Sequence, residues 1–196
     1  MSSYRYYYFV PQLSTLAYGQ APPESSAAFR VKAADVLDAR DAALLGSISL
    51  DPPPPASGPN GEAAKGSGCD FIDGWREWER GLRLHLVALR AARLGREVSE
   101  EPGFHPAAAA AAKALEAETP LEGEVAIDKA RWKAVEALQG GELFHRNTIF
   151  AYLMKLLILE RQASFQVEAG FSEYKTLYDS IILEERSGAA PMGESK

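Results

Sequence analysis

The apolar residues of this chain recur mostly at helical spacing, and the longest such run is Asn147 to Arg161, NTIFAYLMKLLILER. It is apolar nearly all round, so it must be covered by a core or a partner. Asn147 can cap it. A seam of Tyr152, Leu156, Leu159, Ala163, Gln166, Gly170, Tyr174, Leu177 and Ile181 carries the pattern to about Glu185, roughly 58 Å at ~1.5 Å per residue if unbroken. Ile149, Leu153 and Leu157 thicken the first half, which is expected in the core, with Phe150, Leu153 and Leu157 as its core candidates. The second half is amphipathic, making Tyr174, Leu177 and Ile181 the interface candidates.

A second strong pattern opens at Asp70 or Asp73 and runs to Leu94, with Gly95 as its stop. Trp75, Trp78, Leu82, Leu86 and Leu89 alternate three and four apart, the seam of one helix facing another. Trp75, Trp78, Leu82 and Leu89 are therefore core candidates. The two tryptophans could also form an aromatic ligand platform, but their place on an apolar seam favours packing.

Weaker patterns fill the rest. Pro22 to Ser26 is a helix entry with serine as cap, followed by Phe29, Ala33, Val36 and Leu37 on one face. A short helix restarts at Asp38 or Asp41. Residues 107–117 are alanine-rich and helical by propensity. Residues 119–124 read as a loop, after which Asp128 caps a short helix carrying Trp132, Val135 and Leu138. Residues 4–10 are aromatic and β-branched, but strand partners are scarce. They are expected as an apolar plug on the helices, extended or as a helical turn. Residues 51–68, rich in proline and glycine, cannot bury enough surface to order themselves and are expected to form a flexible loop. The expected fold is mainly α. Long antiparallel helices form a bundle, with the Asp70 and Asn147 helices at its centre. The expectation is one domain over residues 1–186 and a disordered tail over 187–196.

Charge and composition narrow the function classes. The formal net charge is −6 and the pI near 5.2, which disfavours a nucleic-acid partner. The densest basic region, Arg76 to Arg96, is interleaved with Glu77, Glu79 and Glu97 and reads as a solvated helix face. Cys69 is the only cysteine, so neither an intrachain disulfide nor a cysteine-based zinc site is available, and a cytoplasmic setting fits. The N-terminal residues do not read as a secretory signal. No run reaches the ~20 apolar residues of a spanning helix, so membrane insertion is not expected.

No motif marks a catalytic centre. His85, His105 and His145 lack metal-ligand spacing. The glycines of 58–68 lack a phosphate loop's lysine and hydroxyl ending. Ser164 has no adjacent histidine–carboxylate pattern, although a triad can assemble in space. No cofactor or metal is expected. Glu160 and Arg161, directly after the most apolar run, are expected at the emerging polar face; the sharper alternative is that one is partly buried and forms a structural ion pair with Arg83, Arg90 or Arg93.

Three patches together resemble a known family: YYYFVPQLSTLAYGQAPPESSAAF at 6–29, FIDGWREWERGLRLHLVALRAARLG at 71–95 and NTIFAYLMKLLILERQASF at 147–165. The set resembles a bacterial family of unassigned function encoded among the subunits of V/A-type ATPases. The aromatic start followed by a double proline is its most specific mark. The last patch is also similar, more weakly, to a helix of the C (d) central-stalk subunit of those ATPases. That subunit is an all-helical funnel coupling the shaft to the membrane rotor, without chemistry of its own. It is much longer and contains three related units, so a funnel does not follow here. The resemblance implies a non-catalytic subunit or assembly partner at the cytoplasmic membrane face, contacting other ATPase subunits. Two further readings stand beside it: a free-standing helical adaptor that self-associates through the 163–181 seam, and an enzyme with a spatially assembled pocket.

Overall fold

The computed structural model describes residues 6–51, 66–98 and 102–165. Residues 52–65 of the expected 51–68 loop, the interface candidates Tyr174, Leu177 and Ile181, and the tail lie outside the described residues. Among the described residues the protein is a bundle of α-helices without strands, as the periodicities predict.

The chain enters through a 3-10 turn, Val10–Gln12. The helices α1 (Ser26–Ala34) and α2 (Ala39–Gly46) follow. Each starts at a polar cap: Ser25 Oγ accepts from Ala28 N, 3.1 Å, and Asp38 Oδ1 accepts from Asp41 N, 2.7 Å. Next is α3 (Asp70–Arg93). Gly95, at φ +63°, ends it. There the amides of Gly95 and Arg96 bond back to the carbonyls of Ala92 and Ala91 at 3.2 and 2.9 Å, a Schellman closure.

Three more helices complete the bundle: α4 (Ala108–Glu116), α5 (Pro120–Gln139) and α6 (Arg146–Ser164). Here the structure corrects the sequence reading. Residues 120–124 are not a loop but the first turns of α5. Thr119 Oγ1 caps that helix by accepting from Glu122 N, 3.2 Å, and Pro120 fits its first turn. Asp128 is no cap; it is fully buried in mid-helix. The cap of α6 is His145 rather than Asn147, its Nδ1 accepting from Asn147 N at 3.4 Å. Helix α6 ends at Ser164 with Phe165 as its cap, and the expected continuation to Glu185 lies outside the described residues.

The centre also differs from expectation. Helix α6 packs chiefly on α5, and α3 packs on α4 and α5. The residue pairs Glu136–Lys155 and Asp128–Arg161 make α5 and α6 antiparallel. A Cβ on Gly74 would lie 2.7 Å from Leu138, and Glu79 pairs with Arg131, so α5 is antiparallel to α3 as well. Helices α3 and α6 therefore run in the same direction, with α5 antiparallel to both. They meet where Phe71 and Phe150 lie 6.1 Å apart.

The buried apolar side chains form two clusters. The larger joins the N-terminal segment, α1, α2, the start of α3, α5 and α6. The aromatic segment is a plug, in a helical-turn form: Phe9 stacks on Phe29 at 6.2 Å, and Phe29 lies 4.8 Å from Tyr152. The smaller cluster holds Leu82, Leu86, Ala107, Ala111 and Ile127. Trp78 packs against both. The alanine-rich α4 lies close because its side chains are small. A Cβ on Gly123 of α5 would sit 2.8 Å from the Ala114 carbonyl oxygen.

Candidate functional site

The densest polar construction in the interior crosses three helices. Glu79 occupies the inward seam of α3 between Trp75 and Leu82, which the heptad-like spacing 75, 79, 82, 86 places toward α5. Arg131 reaches it from α5, with Nε donating to Oε1 at 2.6 Å and Nη2 to Oε2 at 3.3 Å. The same guanidinium donates through Nη1 to Asp128 Oδ1 at 3.0 Å. From α6, Arg161 pairs with Glu124 and lies 3.7 Å from Asp128 Oδ1. Glu79, Asp128 and Arg131 are all buried.

Three carboxylates here face two guanidiniums. Burial opposes the charge of Arg131, but Glu79 and Asp128 hold its guanidinium above the ordinary arginine value. Asp128 is not fully compensated: its Oδ2 is buried without a hydrogen-bond partner. Burial raises its carboxyl above the ordinary aspartate value, against the opposing pull of Arg131 and Arg161. Tyr18 closes the network's outer side, donating its hydroxyl to the Val125 carbonyl at 2.9 Å and meeting Trp132 edge-on at 5.7 Å. Burial, then the nearby Asp128 charge, raises the Tyr18 phenol. The arrangement fixes helix register, and Asp128 is its least compensated member.

A second polar group fastens α1 and α2 to the two ends of α6. Glu160 Oε1 accepts from Ser26 N at 2.6 Å, at the start of α1. At the other end, Arg146 Nη1 donates to Asp41 Oδ1 at 3.1 Å, and the Tyr6 hydroxyl donates to Asp41 Oδ2 at 2.5 Å. Arg30 of α1 donates to the carbonyls of Leu45 and Ile48, both at 2.6 Å, satisfying the open end of α2. Burial lowers the Arg30 guanidinium and the charge of Glu160 partly restores it.

The sequence-derived candidates distribute as follows. Trp75, Leu82, Phe150 and Leu153 are buried, and Trp78, Leu89 and Leu157 are half-buried against the clusters. Trp75 and Trp78 stack at 5.9 Å within this packing. Glu160 and Arg161 do enter structural contacts, but not with the expected partners on α3. Arg83 bonds its own helix at the Glu79 carbonyl, 3.1 Å, and Arg93 reaches the Leu115 carbonyl, 2.7 Å. Arg90 is exposed. The reason is topological: α5 supplies the partners for Arg161, and α1 supplies the partner for Glu160.

Sequence reasoning missed Glu79, Asp128, Arg131, Asp41 and Arg146. Glu79 on an apolar seam was the available signal. Among the described residues, no group of three or more His, Cys, Asp and Glu is placed to hold a metal ion, and no helix is long and apolar enough to cross a membrane. His105 sits against α3 where a Cβ on Gly81 would meet its ring at 2.3 Å. No family model, curated protein or solved structure matches the chain.

Proposed function

We propose that this chain is a non-catalytic subunit or assembly partner of a V/A-type ATPase, working at the cytoplasmic membrane face through helix contacts. One observation carries the reading beyond the resemblance itself. The three patches that resemble the ATPase-associated family become the N-terminal segment with α1, then α3, then α6. These meet in one hydrophobic cluster that includes Phe9, Phe29, Tyr152, Phe150 and Phe71. The resemblance therefore follows a single packed body rather than scattered surface text. Ion pairs tying α3, α5 and α6 suit a part that carries load between neighbours, because they resist sliding of one helix on another.

The test is affinity purification of the tagged chain, expressed at native level and extracted in mild detergent. The expected result is recovery of catalytic or stalk subunits of the ATPase. Recovery of the chain without any of them overturns the proposal.

A further inference from the structure

Residues 80–96, RGLRLHLVALRAARLGR, hold five arginines and one histidine and no acidic residue, in a chain of net charge −6. The interleaved acids that make this region look neutral in sequence do not all face outward. Glu79 is only 4% exposed and spends both oxygens on Arg131. Beside the exposed Glu77, the outer side carries a stripe of exposed Arg80, Val87, Arg90 and Leu94 with half-buried Arg76, which pairs with Asp73 at 3.9 Å, and half-buried Arg83, which bonds the Glu79 carbonyl, spaced four and three apart. That is the spacing of a coiled-coil seam, here running beside the buried one for roughly 27 Å at ~1.5 Å per residue. Val87 and Leu94 are 56% and 67% exposed and stand one heptad apart. Arg83 and Arg90 stand one heptad apart between and before them.

We propose that this face of α3 docks an acidic amphipathic helix of a partner protein. The seam spacing fits a helix, which would set apolar side chains on Val87 and Leu94. Glutamates or aspartates beside them would meet the arginines. Charge complementarity selects an acidic partner, and the arginine fork suits carboxylates. A phosphate backbone offers no apolar side chain to cover Val87 and Leu94, as the seam of an amphipathic helix would. Two apolar side chains are too few to seat a helix in a membrane interface. The proposal concerns the face itself and stands whether or not the partner belongs to an ATPase.

The probe is a synthetic three-heptad helical peptide with leucine at its seam and glutamate on both flanks, compared with the same peptide carrying lysine. Binding to the full chain is read by fluorescence anisotropy at low and high salt. The glutamate peptide is expected to bind in a salt-sensitive manner and the lysine peptide not to bind. Arg83→Glu with Arg90→Glu is expected to weaken the glutamate peptide by about tenfold or more and to favour the lysine peptide. Arg90→Glu alone, at an exposed position, is expected to act in the same direction and covers the case in which the double variant does not fold. Equal binding of the two peptides, no binding of either, or indifference to Arg90→Glu overturns the proposal. Stronger association with phosphatidylserine vesicles or duplex DNA than with the glutamate peptide also overturns it.

Discussion

Asp128 shows how much one residue's placement decides. It lies beside Arg131 and Arg161, yet one oxygen has no donor and burial holds its carboxyl above the ordinary value. A raised folded-state value means that folding favours the protonated acid. The cost is absent well below pH about 4, the unfolded value, and grows as pH rises through the folded value. Asp128→Asn removes this dependence. The stability of the unsubstituted protein relative to Asp128→Asn is therefore expected to fall as pH rises through the acid range, measured by urea unfolding of both at matched pH. A difference that is constant or rises with pH contradicts the assignment.

Gly123 is a second single-residue constraint. A Cβ there would lie 2.8 Å from a backbone oxygen of α4, which cannot swing aside as a side chain can. Gly123→Ala is expected to destabilise by about 1–3 kcal/mol in thermal or chemical unfolding. The usual helix-propensity gain of alanine over glycine is smaller, about 1 kcal/mol. A stabilised variant would contradict the close α4–α5 approach.

Between elements, buried ion pairs set register more than they add net stability. Arg131→Met strands Glu79 and Asp128 and is expected to cost about 3–5 kcal/mol. Adding Glu79→Met should recover much of that loss, a non-additivity read from a double-mutant cycle by urea unfolding. Simple additivity would show that the two residues do not act together. The attachment of α1 gives a gentler test. Glu160→Gln weakens a charge-assisted bond to Ser26 N. It is expected to cost about 1 kcal/mol and to speed hydrogen exchange in α1 before α5.

The elements also show what was legible in the sequence. Helices α3 and α6 were readable because their apolar residues repeat at three and four. The first turns of α5 were not, because Pro120, Glu122, Gly123 and Glu124 have a loop's composition; a threonine cap and close contact with α4 override it. The pairs Glu79–Arg131 and Glu124–Arg161 join residues 52 and 37 positions apart. No local pattern marks such partners. The sequence singled out Glu160 and Arg161, with the polar face as the favoured place and α3 as the alternative partner, and no local pattern marked α5 and α1 as what would meet them.

At the scale of the whole molecule, α5 is the element to which α3, α4 and α6 are all referred, while α6 carries the α1–α2 pair at its two ends. This arrangement makes one braced body from the N-terminal segment, α1, α3 and α6. The outward arginine stripe of α3 gives that body a chemically distinct face. The proposed membership in an ATPase assembly can be tested by stoichiometry. A catalytic subunit of the V/A-type ATPase, tagged at its native level, is purified in mild detergent, and the complex is quantified by mass spectrometry. This chain is expected in the purified complex at a fixed ratio to the tagged subunit. Its absence from the complex, with the chain recovered only in the unbound fraction, would contradict the account.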